Sequence, residues 1–252
     1  MNPLPLLGKV AVVTGGSRGI GKASALGFAK AGADVVVVSR TLPDLEKIAK
    51  EIKGLGYKSL PVPAHLGRVE DIENLLFKVK EEFGKIDILV NNAAANPTMA
   101  SGMDVEEEAW DAIMNLNLKG MFFLGQGVAR IMREQGGGSI INVSSSAGIR
   151  PDPLLPIYSI SKAGVIMATR VMAQEWGKYN IRVNAIAPGL FRTRFSEALW
   201  NDERVLERFL TGNPMGRIGE PEEMVGTMIY LASDAASYVN GTLISVDGGQ
   251  TI

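Results

Sequence analysis

Short runs of β-branched and aliphatic residues alternate with longer helical patterns over the whole chain, and this alternation most restricts the possible folds. Several runs are apolar at consecutive positions, as expected for strands that helices cover on both faces. The alternation favours right-handed crossovers and therefore a doubly wound α/β domain with a mostly or wholly parallel seven-stranded sheet. The predicted strands are 10–13, 35–38, 59–62, 86–90, 139–143, 181–185 and 243–246, and the predicted helices are 21–30, 42–54, 69–83, 106–133, 157–176 and 221–232.

The length of 252 residues fits a single domain over 1–252. The irregular stretch 191–219 carries its own helical pattern, and we expect it to be a variable substrate loop. A net charge of −1 and the absence of cysteine predict no nucleic-acid partner, no disulfide and no metal site of the zinc–thiolate kind. We find neither a signal-peptide pattern nor an apolar run of membrane-spanning length, so we expect a cytoplasmic protein without a membrane partner.

The first predicted strand leads directly into a glycine-rich turn, and a helix follows the turn. Glycines allow a tight turn and a close approach of the backbone to a diphosphate, and the helix N-terminus offers free N–H groups to it. Because the pattern lies between the first strand and the first helix, it predicts a Rossmann-type dinucleotide site. The candidate cofactor residues in this turn are Gly15, Ser17, Arg18, Gly19, Ile20 and Gly21.

The end of the second predicted strand indicates which dinucleotide binds. An NAD site usually carries Asp or Glu there, to accept a hydrogen bond from the 2′-hydroxyl of the adenosine ribose. This chain has Ser39 followed by Arg40. Arg40 and Arg18 can both pair with a 2′-phosphate through charged, directional donors. We therefore predict that the cofactor is NADP(H) rather than NAD(H).

A second motif, at the start of the helix predicted at 157–176, points to proton transfer. Tyr158 and Lys162 are four residues apart and therefore share one helix face. A nearby ammonium group favours the phenolate and is expected to lower the pKa of the tyrosine toward working pH. Ser145 follows a predicted strand, at the sheet edge where doubly wound folds bind ligands, and its hydroxyl can hold a carbonyl oxygen beside the phenol.

These motifs, in this order and spacing over essentially the full length, resemble those of the short-chain dehydrogenase/reductase family. The matching stretches are 14–21, 91–93, 115–120, 144–148, 158–162, 184–189 and 246–249. The resemblance implies that Tyr158 is the general acid/base, that Ser145 positions the carbonyl and that Asn117 holds a water in a proton relay. It also implies that Lys162 and Tyr158 contact the cofactor, together with His65, Leu66, Asn91, Ala93, Pro188, Gly189, Phe191 and Thr193.

Two positions depart from the family pattern. Ala94 replaces a usual glycine, and His65 stands where an aspartate usually lies beside the adenine. We expect His65 to lie by the adenine or to cap a turn, far from the nicotinamide. The histidine at position 65, together with a few other short stretches of the chain, resembles the sequences of the animal NADPH-dependent carbonyl and retinal reductases. This second resemblance supports NADP(H) as the cofactor. The Tyr–Lys spacing of four favours carbonyl or alcohol chemistry, since the family's enoyl reductases typically have a longer gap.

The substrate pocket is expected to be largely apolar and to suit a small hydrophobic ketone, aldehyde or alcohol. The resemblance further implies a homotetramer whose long helices pack across subunits. Two alternatives remain open: a 3-oxoacyl-carrier-protein reductase, and a non-catalytic NADP(H)-binding regulator or scaffold. The predicted pocket residues are Ala147, Leu154, Leu155, Phe195, Leu199 and Trp200.

Overall fold

Seven parallel strands form one sheet in the computed structural model, which describes residues 4–96, 99–152 and 155–252. Their spatial order is β3-β2-β1-β4-β5-β6-β7, so the chain reverses its direction of travel between β1 and β4. This confirms the predicted doubly wound, wholly parallel sheet. The strands are β1 (Val10–Thr14), β2 (Asp34–Ser39), β3 (Ser59–Pro63), β4 (Ile88–Asn91), β5 (Gly138–Val143), β6 (Ile181–Pro188) and β7 (Leu243–Val246).

Strand β2 shows why the runs are apolar at every position. Val35 and Val37 pack into the hydrophobic cluster on one face of the sheet, and Val36 and Val38 pack into the cluster on the other face. Side chains of a strand alternate between faces, so a strand covered on both sides must be apolar throughout. All four valines are fully buried.

Helices cover both faces of the sheet. Buried residues of α1 (Gly19–Lys30), α2 (Leu42–Gly54) and α9 (Val225–Ala232) build the first cluster. Those of α3 (Val69–Phe83), α5 (Met121–Gln135) and α6 (Pro156–Trp176) build the second. In the part of the chain that the structure describes, no helix is both long enough and apolar enough to cross a membrane.

The stretch 106–133, predicted as one helix, is not a single regular helix. It divides into α4 (Glu107–Met114), a π-helical segment at Asn115–Gly120, and α5. A β-carbon on Gly120 would lie 2.0 Å from the carbonyl oxygen of Leu66, so the backbone of this segment packs directly against the loop after β3. Wide helical turns often mark functional sites, and this one contains Asn117.

The variable segment, residues 191–219, is closed at its base by a parallel bridge between Phe191 and Gly219. The main-chain N–H of Arg192 donates to Gly219, and that of Gly219 donates to Leu190. Between these ends lie α7 (Glu197–Trp200) and α8 (Glu203–Thr211). The segment is therefore anchored at its ends and presents two short helices.

Candidate active site

The glycine turn predicted to bind a diphosphate lies after β1, at the switch point of the sheet. Open α/β sheets bind ligands there, at the carboxyl ends of the strands. Gly15 has φ +64° and Gly19 has φ +53°, a conformation that side chains disfavour. A β-carbon on Gly21 would lie 2.2 Å from the carbonyl oxygen of Gly15. The glycines are thus required by the backbone itself.

Two residues that the sequence prediction missed hold this turn in place. The Thr14 hydroxyl donates to Val90 and accepts from the main-chain N–H groups of Asn92 and Ala93, at 2.8 and 3.0 Å. The Asn92 side chain donates to the carbonyl oxygen of Thr14 at 2.9 Å. We call Thr14 to Gly21 together with Asn92 the diphosphate cradle. The sequence did contain a signal for Asn92, because this residue lies within the stretch 91–93 that matches the family pattern.

The start of α1 is prepared for an anion. Its N-cap residue, Arg18, makes no side-chain cap, and the first turn carries no acidic residue. Free N–H groups and the helix dipole both favour a phosphate at such a position. A β-carbon on Gly19 would lie 3.1 Å from Cγ2 of Thr193, so this threonine lies against the cradle, and its contact with a cofactor stays a prediction. These residues fit a dinucleotide diphosphate.

The predicted 2′-phosphate residues lie at the end of β2 and the start of α1. Arg18 and Arg40 are both exposed, and neither guanidinium group has a recorded partner among residues 4–96, 99–152 and 155–252. Ser39 ends β2, and its hydroxyl is 3.4 Å from the main-chain nitrogen of Thr41. All three side chains are therefore available to a ligand.

The remaining predicted cofactor residues differ in how they can contribute. The imidazole Nδ1 of His65 accepts from the main-chain N–H of Gly67 at 3.2 Å, so the histidine caps a turn. Asn91 is buried and donates to Asn142 at 2.9 Å. The Phe191 side chain packs in the core, which leaves only its backbone for a cofactor contact. Pro188 ends β6 and Gly189 follows it, while Leu66 and Ala93 pack in or against the second cluster.

The predicted proton-transfer residues come together at the start of α6. The Ser145 hydroxyl accepts from the N–H of Ala147 at 3.1 Å and is hydrogen-bonded to Tyr158. Lys162 is buried, and its ammonium donates to the carbonyl oxygen of Val143 at 2.8 Å while lying 5.5 Å from the centre of the Tyr158 ring. Gly148 brings these parts together, because a β-carbon there would lie 2.7 Å from the backbone of Lys162.

The protonation of this cluster differs from the sequence expectation. Burial raises the pKa of Tyr158 to about 12, and the hydrogen bond from Ser145 opposes this shift only in part. Burial also lowers the pKa of Lys162 to about 8. Desolvation disfavours the charged form of both groups. Tyr158 is therefore a neutral phenol at pH 7, which is the form that can donate a proton.

Asn117 connects the π-helical segment with the proton-transfer cluster. Its side-chain oxygen accepts from the N–H of Ala95, and its nitrogen donates to the carbonyl oxygen of Ala95 and to the Ser161 hydroxyl, at 3.0 and 3.1 Å. The Ser161 hydroxyl donates to the carbonyl oxygen of Tyr158. Both amide donors of Asn117 are thus in use, and a relay water would have to bind its remaining acceptor groups or its backbone.

A cavity of about 250 Å³ opens beside the Ser145 turn. Of the predicted pocket residues, Ala147 and Leu199 line it, and the Phe195 ring lies 5.9 Å from that of Tyr158. Leu155 is buried and lines a different, smaller void, while the Trp200 indole donates to the carbonyl oxygen of Thr193. Leu154 lies outside the described residues.

The sequence prediction missed the polar residues of this cavity, which include Arg150, Asp152, Arg208 and Gln250.

A glycine turn that leads from the first strand into a helix at the switch point of a parallel sheet defines a dinucleotide-binding α/β fold, and this chain also carries the Ser145–Tyr158–Lys162 cluster. Comparison with known proteins makes this class more specific. A family profile described as enoyl-(acyl carrier protein) reductase matches residues 15–251. The chain is 42% identical over 250 residues to 2-dehydro-3-deoxy-D-gluconate 5-dehydrogenase of Escherichia coli K12, covering 99% of this chain and 98% of that one.

Other relatives are equally similar. Identity is 43% with the 3-oxoacyl-(acyl-carrier-protein) reductase of Thermotoga maritima, over 98% of this chain and 99% of that one. It is 41% with dehydrogenase/reductase SDR family member 4 of Bos taurus, over 97% and 88%. The solved gluconate 5-dehydrogenase of Burkholderia cenocepacia, in complex with NADP and tartrate, superposes with a TM-score of 0.95 at 34% identity, over 99% of this chain and 98% of that one.

The chain therefore belongs to the short-chain dehydrogenase/reductase family. This confirms the family resemblance that the sequence motifs carried. Bacterial and animal relatives match at nearly the same identity, so the comparisons do not single out the animal carbonyl and retinal reductase branch.

Proposed function

We propose that the protein is an NADP(H)-dependent oxidoreductase that interconverts a small ketone or aldehyde with the corresponding alcohol. The observation that carries this proposal is the Ser145–Tyr158 hydrogen bond next to the buried Lys162, beside a cavity that can admit a substrate. Bound NADP(H) would supply or accept the hydride at the reacting carbon.

The protein's own residues manage the oxygen of the substrate. In reduction, the neutral Tyr158 phenol donates its proton to the carbonyl oxygen as the hydride reaches the carbon, and in oxidation the phenolate takes it back. The Ser145 hydroxyl accepts from Ala147 and is hydrogen-bonded to Tyr158, and it would turn its hydrogen to the same oxygen when a substrate binds. Lys162 would hold the nicotinamide ribose, and its positive charge would stabilise the phenolate left behind, since charge of opposite sign lowers the energy of that state.

The decisive test replaces Tyr158 by phenylalanine, which removes the acid and keeps the ring. NADPH consumption should be followed by absorbance across ketones, aldehydes, diketones and acyl thioesters for both proteins. General acid catalysis contributes about 10²–10⁴-fold, and a loss of kcat of that size is expected. Turnover by Tyr158→Phe at a near-normal rate would refute the mechanism.

The preference for NADP(H) rests on Arg18, Ser39 and Arg40 and on the missing carboxylate at the end of β2. Related solved structures contain NADP, which supports this assignment. Arg40→Asp should repel the 2′-phosphate and accept from a 2′-hydroxyl, and so invert the ratio of kcat/KM for NADPH and NADH. An unchanged ratio would show that the 2′ pocket lies elsewhere.

Three alternatives predict different results. A 3-oxoacyl-carrier-protein reductase is favoured by the Thermotoga maritima relative and would prefer a carrier-bound substrate to the free acid or its small thioester. Reduction of a carbon–carbon double bond, suggested by the description of the family profile, is disfavoured by the Tyr–Lys spacing of four. A non-catalytic regulator would bind NADPH without turning over any substrate of the panel.

We also propose that the protein acts as a homotetramer. Helix α6 buries one face in the second cluster but leaves Ile160, Met167 and Val171 about half exposed, at 50%, 56% and 48%. Exposed apolar patches of this kind commonly mark subunit interfaces. Size-exclusion chromatography with light scattering tests this, and a monomer at micromolar concentrations would contradict it. The cytoplasmic location stays a prediction from the sequence.

A further inference from the structure

The cavity beside Ser145 differs from the apolar pocket that the sequence predicted. One wall is the turn after β5, in which Ala147 is followed by Arg150 and Asp152. The opposite wall is one face of α8, where Val205 and Arg208 lie three residues apart. The cavity thus combines apolar surface, which suits a carbon skeleton, with charged groups from both walls.

The two arginines are free to bind a ligand. Arg150 uses one Nη1 donor on the carbonyl oxygen of Gln250 at 3.0 Å, which fixes the side chain against the end of the chain. A guanidinium group has five N–H donors, so four remain. The guanidinium group of Arg208 makes no hydrogen bond or ion pair with residues 4–96, 99–152 or 155–252. Both side chains are exposed and therefore reachable from solvent.

Gln250 supplies a second, independent observation. Its side-chain Oε1 is buried and has no hydrogen-bond partner in the described chain, and Gln250 lines the same cavity. A buried polar atom without a partner is unfavourable by about 1–3 kcal/mol, so such atoms usually have a partner supplied by water or a ligand. Gln250 lines the cavity, so a rotation of its side chain that uncovers Oε1 would let a substrate hydroxyl donate to it and remove this penalty.

We propose that the substrate is a small hydroxylated oxo acid, or the corresponding hydroxy acid in the reverse direction. Its carboxylate binds Arg150 and Arg208, and a hydroxyl donates to Gln250. The inference rests on the proposed oxidoreductase function and adds the chemical class of its substrate. The reaction balances as one hydride to the carbonyl carbon and one proton from Tyr158 to its oxygen, and the carboxylate takes no part in bond making.

A carboxylate is favoured over a phosphate by the third charged residue of the cavity. Asp152 places a carboxyl group in the same lining, and like charges repel a dianion more strongly than a monoanion. The guanidinium fork also matches the planar carboxylate and can bind it with two parallel hydrogen bonds. The small cavity volume fits a short acid better than the long arm of a carrier-bound acyl group.

The experiment compares short hydroxylated oxo acids with their methyl esters, using NADPH and the full-length wild-type chain. Three variants are assayed in parallel: Arg208→Gln, Gln250→Met, and the control Arg204→Gln. Arg204 lies one turn before Arg208 on α8 and does not line the cavity. Deoxy analogues of the same acids test the hydroxyl, and a phosphate ester and an acyl-carrier thioester test the competing anions.

Wild type should prefer each acid to its ester by about tenfold or more in kcat/KM, the size of a charge-assisted hydrogen bond. Arg208→Gln should lower kcat/KM for the acid about tenfold and leave the ester unchanged, while Arg204→Gln changes neither. Gln250→Met should abolish the preference for the hydroxylated acid over its deoxy analogue.

Three results would overturn the inference while leaving the oxidoreductase proposal intact. These are equal rates for acids and esters, an effect of Arg208→Gln on both alike, and a preference for the phosphate ester or the carrier thioester. A lack of NADPH oxidation with every compound would instead refute the proposed function itself. Because Arg208 is exposed and Arg204→Gln controls for changes in α8, a folding defect can be distinguished by comparing the two variants.

Discussion

The diphosphate cradle and the variable segment meet at Thr193 but are held together in different ways. In the cradle, a β-carbon on Gly15 or Gly21 would lie 2.6 or 2.2 Å from its nearest neighbour, and the side chains of Thr14 and Asn92 tie the turn to the main chain of β4 and β1. In the variable segment, α8 has no buried residue and is capped by the Asp202 carboxylate, while Arg192 at the base of the segment pairs with Glu220. Under the proposed function, cofactor binding would depend on a turn that tolerates little change, whereas substrate choice would depend on side chains that can vary without loss of the fold.

The largest effect is expected from Gly21→Ala in the cradle. The new methyl group would lie 2.2 Å from the carbonyl oxygen of Gly15, so the turn must move. Overpacking of this kind costs about 3 kcal/mol, or roughly a 100-fold loss of NADPH affinity, measured by fluorescence titration. The control is Gly226→Ala in α9, where a β-carbon meets nothing within 4 Å, and about 0.5–1 kcal/mol of stabilisation is expected. If the affinity of Gly21→Ala for NADPH were unchanged, the cradle would tolerate substitution as readily as the variable segment, and the contrast between the two regions would be wrong.

The buried charge next to the cradle predicts a pH dependence of stability. The pKa of Lys162 falls from 10.5 to about 8 on folding, so the unfolded chain binds more protons between these values. The free energy of unfolding should therefore rise from pH 8 to pH 10. Above pH 10 the raised pKa of Tyr158 acts in the opposite direction, because the folded state then holds the extra proton.

Urea unfolding of wild type and Lys162→Met at pH 8, 9 and 10 measures this effect. The rise should disappear in the variant, which has no titrating group at this position. If both proteins show the same slope, Lys162 is not the buried group that titrates in this window.

A smaller effect is expected where the two regions connect. Trp200→Phe keeps an aromatic ring beneath the Arg192 guanidinium, now 5.3 Å from the indole ring, but removes the N–H that donates to Thr193. A typical hydrogen bond contributes about 0.5–1.5 kcal/mol, so KM for NADPH should rise about two- to tenfold in steady-state kinetics. Trp110→Phe on α4 is the control. A change confined to the substrate KM would mean that the segment does not position Thr193.

The smallest effect belongs to the variable segment alone. The Asp202 carboxylate accepts from the N–H groups of Arg204 and Val205 and caps α8. Asp202→Ala should weaken this helix by about 1 kcal/mol and raise the substrate KM up to about fivefold, with the KM for NADPH unchanged. Glu207→Gln removes the same charge without affecting the cap. A matching rise in the cofactor KM would show that the two regions are coupled more tightly than we infer.

Much of the fold follows from local pattern. The consecutive valines of β2 predicted a strand that is buried on both faces, and the glycines after β1 predicted a tight turn. Both features could be predicted because each depends only on residues that are adjacent in the sequence. The predicted 191–219 segment coincides with the bridge between Phe191 and Gly219. The interruption of the 106–133 helix was not predictable, since it accompanies contacts of Asn117 and Gly120 with distant loops.

The sequence by itself determined the order of the elements, the glycine positions and the four-residue spacing of Tyr158 and Lys162, because each is set by geometry within a few residues. Only the tertiary structure decided which groups are desolvated and which charges share a cavity. Burial at the start of α6 raises the pKa of Tyr158 instead of lowering it, and the fold brings Arg150, Arg208 and Gln250 together from three distant parts of the chain. Desolvation and long-range contacts depend on the whole packed molecule, so they have no local signature in the sequence.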